Sequence, residues 1–255
     1  MQEERIAYIL EKLDQQGKVL VSELSRELHV SEMTIRLDLK FLNDQGLIRR
    51  VHGGAEPAGE SLYKGDIRQN LCRNAGGKIS IAKAACSLLK PGDTVLIDDS
   101  STCLYLIRQI KKEVSKPITL YTNSILAAAE LLDVKHVRLH LIGGEIAGNL
   151  AATSGPDAEQ SLASLKADLC FFGTNGVSCE TGASVIGYSQ MRLKQTMLSA
   201  SRKHILLADS HKFGLQFLSV ICPLSEIDLI ITDSGLSAAK LEAFQKQASV
   251  LRSGS

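Results

Sequence analysis

The sequence predicts an α/β protein in two parts: an N-terminal winged helix-turn-helix and a C-terminal domain built on a mainly parallel α/β sheet. Three observations predict it. A capped amphipathic helix near residue 32 follows a shorter helix by only a few residues, which is helix-turn-helix spacing. A short β-prone run carrying two arginines and a histidine comes next, as a wing would. Beyond residue 77 the pattern becomes strand, loop and helix, repeated, with apolar strands continuous enough to be buried on both faces. At 255 residues and 44% hydrophobic content the chain is long enough for a core in each part.

Taken in order, residues 3–16 place Ile6, Ile9, Leu10 and Leu13 on one face of a first helix that ends at Gly17. Residues 18–21 read as a short extended segment able to pair with the wing, and residues 22–29 as the first helix of the motif. Ser31 is a natural N-cap and Gly46 a natural stop, so the second helix spans residues 32–45. Ile35, Leu39 and Leu42 fall at i, i+4 and i+7 and form its core stripe, which turns Thr34, Arg36, Leu37, Lys40 and Asn43 to other faces. Alone, such a helix reads equally as an ordinary amphipathic surface helix. Its neighbours decide for DNA. In the wing, Leu47 with Ile48 or Val51 can pack down while Arg49, Arg50 and His52 reach a backbone or a groove. Candidate DNA contacts are therefore Ser31, Thr34, Arg36, Leu37, Lys40, Arg49, Arg50 and His52. Arg and Lys can reach guanine O6/N7 or phosphate, and hydroxyls can bond either. Residues 1–55 hold eight Lys/Arg against nine Asp/Glu, so affinity must come from placement rather than net charge. Residues 45–55 hold no acid at all.

At these positions the chain resembles the DeoR family of bacterial transcriptional regulators. Val30, Ser31, Thr34, Ile35, Arg36, Asp38, Leu39, Leu42, Gly46 and the closing run Arg50, Val51, His52, Gly53, Gly54, Ala55 carry the resemblance. One departure removes a cation: Leu37 stands where the family usually has a second arginine.

Residues 56–76 change composition, with Pro57, Gly59, Gly65 and Gly76, and read as a linker between a domain at 1–55 and one at 77–255. Six strands are expected in the second domain, near 94–98, 118–122, 137–142, 168–172, 204–208 and 228–232. Small, hydroxyl and acidic residues gather just after them, where open α/β sheets bind ligands. Asp98, Ser100, Ser101 and Thr102 lead into an apolar helix, as do Thr122, Asn123 and Ser124. Both runs read as plain capping or as phosphate cradles. Gly143, Gly144, Asn175 and Asp209 close other strands. Lys194, on a helix of about residues 188–201, and Lys212, after a strand end, are the candidate cations, Lys212 the better placed. Here too the chain resembles the DeoR family, whose second domain resembles ribose-5-phosphate isomerase and glucosamine-6-phosphate deaminase. That resemblance implies a domain sensing a phosphorylated sugar, and an effector site made of the residues just named. Ser100 and Ser101 depart from the usual Gly-Thr, and Asn175 from the usual acid.

The partners implied are double-stranded operator DNA, a phosphorylated sugar and a second or further copies of the chain, as homodimer or homotetramer. The alternative is a sugar-phosphate isomerase or deaminase with an appended DNA-binding module. Proton shuttling needs a positioned carboxylate, and two positions where one is expected hold the amides Asn175 and Gln190. No catalytic residue is therefore assigned. Six cysteines without a C-x-x-C or Cys/His cluster indicate reduced thiols, with no metal site or cofactor. No apolar run reaches membrane-spanning length and the N-terminus is charged, which predicts a cytoplasmic protein.

Overall fold

The computed structural model describes residues 5, 6, 8, 9, 12, 13, 16–44, 48–57, 67–113, 115–148 and 150–254. The chain divides into two compact units, Met1–Gly76 and Gly77–Ser255.

In the first unit, the described residues from Arg5 to Gln16 are helical (α1). β1 (Val19–Leu20), α2 (Val21–Glu27), α3 (Glu32–Asp44), β2 (Ile48–Val51) and β3 (Gly54–Pro57) follow. Ile9, Leu13, Val19, Leu24, Ile35, Leu39, Leu42 and Ile48 are all buried and form the core. The apolar stripe of α3 thus faces inward as its periodicity predicts. Ser31 caps α3, its Oγ accepting the Thr34 N–H at 3.1 Å. The expected stop at Gly46, and Leu47 in the wing, lie outside the described residues. A contact with no local sequence signal completes the face: Arg5 donates to both carboxylate oxygens of buried Asp38, at 2.5 and 3.1 Å, tying α1 to α3.

The extended segment pairs with the returning strand of the wing, Val19 opposite Ala55, in the order β1-β3-β2. This explains the two glycines at the turn. Gly53 has φ 74°, which side chains disfavour. At Gly54 a Cβ would lie 1.9 Å from the Val19 carbonyl oxygen. Gly54→Ala is therefore expected to push β1 off the wing and cost ~1–3 kcal/mol, as overpacking does. Urea denaturation followed by circular dichroism, with DNA affinity measured alongside, checks it.

The expected connection at 56–76 is not all loop. Residues 58–66 lie outside the described residues, but α4 (Ile67–Cys72) forms within it and α5 (Ala75–Cys86) begins there. Ile67 and Leu71, at i and i+4, are both buried, and that apolar pair holds α4 in place. Gly76 and Gly77, which look like breakers, are helical: Ala75, Lys78, Ile81, Ala82 and Ala85 make one buried face of α5 and override the local preference.

The second unit is built on a seven-stranded sheet in which every pairing is parallel. Its strands are β4 (Thr94–Ile97), β5 (Ile118–Thr122), β6 (Val137–Leu141), β9 (Ala167–Gly173), β12 (Ser201–Leu207), β14 (Leu229–Thr232) and β15 (Val250–Arg252). Their order is β15-β14-β12-β9-β4-β5-β6. Six of these match the expected strands to within a few residues, and β15 is additional. Crossover helices include α6 (Ser101–Glu113), α7 (Ile125–Leu131), α8 (Pro156–Leu162), α9 (Tyr188–Ser199) and α10 (Ala238–Gln245). Two smaller antiparallel pieces were not foreseen: a hairpin of β7 (Glu145–Ala147) with β8 (Ala152–Ser154), and a sheet of β10 (Gly176–Ser178), β11 (Gly182–Val185) and β13 (Ser219–Cys222). These strands are three or four residues long and rich in Gly, Ala and Ser, so neither propensity nor alternation marks them. No helix among the described residues is long and apolar enough to cross a membrane.

Candidate functional site

The outward face of α3 and the wing hold the first candidate surface. Ser31, Arg36, Leu37, Lys40, Arg49, Arg50 and His52 are exposed and Thr34 is half-buried. Ser31 serves as the cap and also lies 2.9 Å from the Thr34 hydroxyl. Arg36 donates to Glu32 one turn back at 2.9 Å. Arg49, expected in an acid-free stretch, instead meets Glu56, its partner across the β2/β3 register, with Nε–Oε1 at 2.7 Å. The acid comes from the return strand, just past the stretch that has none. Both pairs are exposed and of small worth, so DNA phosphates can compete for these guanidinia. Asn43 acts structurally, its Oδ1 accepting the Arg50 N–H at 3.1 Å and so joining helix to wing.

The second candidate lies at the carboxyl ends of the parallel strands. After β4, Asp98 is buried and accepts hydrogen bonds from Gly173 N–H at 2.7 Å, Ser100 N–H at 2.9 Å and the Lys194 ammonium. Lys194, buried on α9, also lies 3.7 Å from the Asp99 carboxylate. Burial alone would push the Asp98 carboxyl up; the adjacent ammonium and the N–H donors outweigh it and hold the carboxyl below its ordinary value. Burial would likewise lower the Lys194 ammonium, and the two carboxylates reverse that and raise it. Asp98 and Lys194 therefore stay ionised as a buried pair, with the Asp99 side chain close by.

After β5, Asn123 donates to Asp99 at 3.2 Å and to the Thr153 carbonyl at 3.1 Å. Its own Oδ1, buried, has no hydrogen-bond partner among the described residues. A small pocket, part of it open to solvent, lies over these groups. Asp99, Asn123, Thr153, Ser154, Gln190 and Lys194 are its polar lining, and Leu150, Ala152, Leu193 and Met197 are among its apolar walls. A buried acceptor left without a donor on a pocket-lining residue could be satisfied by a ligand hydroxyl or amine.

Of the sequence candidates, this pocket gathers Asn123 and Lys194, with Asp98 behind Lys194. The others sit elsewhere along the same strand ends or have local roles. Ser100 Oγ caps α6 by accepting the Cys103 N–H at 3.3 Å, and Ser101 and Thr102 form the first turn of that helix. Thr122 Oγ1 accepts the Ser124 N–H at 3.1 Å and Ser124 Oγ caps α7 through Ala127 N–H. Capping is thus real at both runs. Gly143 and Gly144 lead from β6 toward the β7/β8 hairpin. Asn175 Oδ1 accepts the Ile186 N–H at 3.1 Å, a loop-holding bond rather than a place in the pocket lining. Asp209 caps the turn Ser210–Lys212 and accepts from His211 N–H at 3.2 Å. Burial would raise its carboxyl, but the His211 bond and the charges of Lys78 and Lys212 bring it below the ordinary value. Lys212 is half-buried on that turn and is not among the residues lining this pocket, whereas Lys194 is. Asp99, Thr153 and the apolar walls were missed. Asp99 stood beside a chosen residue, while Leu150, Leu193 and Met197 carry no chemical signal in sequence.

Comparison with known proteins agrees with both halves. Residues 5–59 match the DeoR-like helix-turn-helix domain and residues 73–234 the DeoR C terminal sensor domain. The chain is 33% identical over 242 residues to the HTH-type transcriptional regulator GolR of Listeria innocua, covering 95% of this chain and 94% of that one. It is also 33% identical over 252 residues to the lactose phosphotransferase system repressor of Lactococcus lactis, covering 97% of each. Among solved structures, ribose 5-phosphate isomerase A of Methanocaldococcus jannaschii aligns with 55% of each chain at 18% identity and a TM-score of 0.40, too distant to bear on function. With both family domains present and relatives matched over nearly their whole length, this chain belongs to the DeoR family of transcriptional regulators.

Proposed function

We propose that this regulator represses a carbohydrate-metabolism operon and leaves its operator when a phosphorylated sugar binds the second unit. The observation that carries the reading is the pocket floor. A buried Asp98–Lys194 ion pair, with Asp99 3.7 Å from the ammonium and the buried, unpaired Oδ1 of Asn123 beside it, is costly to build for stability alone. Because Lys194 is already paired with Asp98, the pocket favours the hydroxyl-bearing end of a sugar. The phosphate then turns outward along the strand ends, toward Ser100–Thr102 and Lys212. Two-fold operators call for a dimer at least, assembled through the larger unit, with ligand altering how the paired units space two recognition helices.

The isomerase or deaminase alternative finds little to work with. Asp99 is the one carboxylate among the residues lining the pocket, and it already faces Lys194 and Asn123. Gln190 and Asn175 cannot serve as bases.

A thermal-shift screen tests the proposal, since a ligand that binds only the folded state stabilises it by ~2.7 kcal/mol at a hundredfold excess over Kd. Pentose and hexose phosphates are expected to raise the midpoint, and the free sugars and inorganic phosphate are not. If no sugar phosphate raises it, the sensor reading fails; if one is turned over on incubation, the pocket is catalytic.

A further inference from the structure

The buried stripe of α3 fixes what its other side presents. Met33, Leu37 and Phe41, at i, i+4 and i+8, are 63%, 55% and 46% exposed and run along one line of the helix. Single exposed hydrophobics are ordinary. Three aligned on the face that also carries Arg36 and Lys40 are not. A partner for this face must offer apolar groups recessed between negative charges. A second copy of α3 would set Arg36 and Lys40 against their own kind. The major groove of DNA meets both demands, because phosphates rim it and the thymine C5-methyl projects into it.

Leu37 also lacks any donor for guanine O6 or N7, so it cannot make the commonest specific base contact. Arg36 is drawn back onto Glu32, toward the helix start, which leaves Met33 and Leu37 the foremost side chains of the first two turns. Those turns carry the base contacts of a recognition helix. We propose that Met33 and Leu37 read thymine methyl groups, so that the chain selects A·T pairs with thymine placed under these two residues. Arg36, Lys40 and the wing cations hold the phosphates on either side. The proposal rests on α3 entering the major groove.

The test starts from duplexes that the full-length protein selects out of a random-sequence library. The best duplex is resynthesised with deoxyuridine in place of thymidine at one position at a time, which removes a methyl and keeps the base pair. At one or two positions in each half-site, affinity is expected to fall roughly fourfold, the factor that ~0.8 kcal/mol for one buried methyl represents. Leu37→Ala should bind the thymine and uracil duplexes alike at one of those positions, and Met33→Ala at another. Leu37→Arg should shift selection there toward guanine. Both side chains are exposed, so unchanged melting curves are expected for the variants. The proposal is overturned if uracil is neutral at every position, or if the methyl dependence survives both alanine variants. Binding that is indifferent to both sequence and salt would overturn the groove placement of α3 as well, and so separates the two failures.

Discussion

Lys194→Met is expected to lower the unfolding free energy by ~3–5 kcal/mol, the usual cost of removing one partner from a buried ion pair. The methionine fills similar volume, so the loss comes from electrostatics: Asp98 and Asp99 would remain in the interior without their cation. Adding Asp98→Asn should recover part of it, because an amide is less costly to bury than a lone carboxylate. Urea denaturation of the parent, single and double variants measures this. The pH profile gives an independent check. Asp98 has a depressed folded value, so its contribution is present above its unfolded value of ~3.9 and is lost as pH falls through the lower folded one. Lys194 has a raised folded value, so its contribution is present below ~10.4 and is lost as pH rises through the higher folded one. Between these limits the Asp98–Lys194 pair gives a plateau. The double variant should lose Asp98's share of the acid-side decline. A Lys194→Met protein as stable as the parent would mean that the pair is not assembled as described.

That pair also marks how far the sequence could be read. Ser31, Ile35, Leu39 and Leu42 announce α3 because cap and stripe lie within about three turns of one another, and the strands of the main sheet announce themselves as apolar runs. Local order is legible wherever the signal is local. Asp98 and Lys194 are 96 positions apart, and Arg5 and Asp38 are 33 apart. Nothing near Lys194 in sequence distinguishes it from a surface lysine on a helix. Only the parallel sheet, by bringing the end of β4 under α9, turns it into a pocket residue. Lys212 looked better because it follows a strand-end acid, and that acid proves to hold the turn Ser210–Lys212. The pocket walls were illegible for a different reason. Leu150, Ala152, Leu193 and Met197 are there for shape, and shape is a property of the assembled fold. The hydroxyls at 100–102 and 122–124 were read correctly as helix starts, while their part in binding a phosphate rests on the proposal above.

Leu150→Trp is expected to abolish sugar-phosphate release while leaving operator affinity unchanged. Leu150 is half-buried in the turn between β7 and β8 and lines the pocket without any hydrogen bond to its polar floor. An indole there narrows the space available to a sugar and disturbs neither the ion pair nor the first unit. In the parent, ligand and operator should each change the other's affinity by one common factor, as linkage requires, and typical couplings are about 5–150-fold. In Leu150→Trp that factor should fall to one because the ligand no longer binds. Lys212→Ala separates the two ends of the ligand. If the phosphate reaches Lys212, release should need a higher sugar-phosphate concentration, yet the coupling at saturation should stay at the parent's value, because affinity and coupling are distinct quantities. Titrating operator release by fluorescence anisotropy at several sugar-phosphate concentrations gives both numbers. Should Leu150→Trp release its operator at the parent's concentration, the effector binds elsewhere and the floor of Asp99, Asn123 and Lys194 is not its site. If instead Lys212→Ala alone is indistinguishable from the parent, the pocket stands and the phosphate lies nearer the Ser100–Thr102 turn, since nothing else about the floor depends on Lys212.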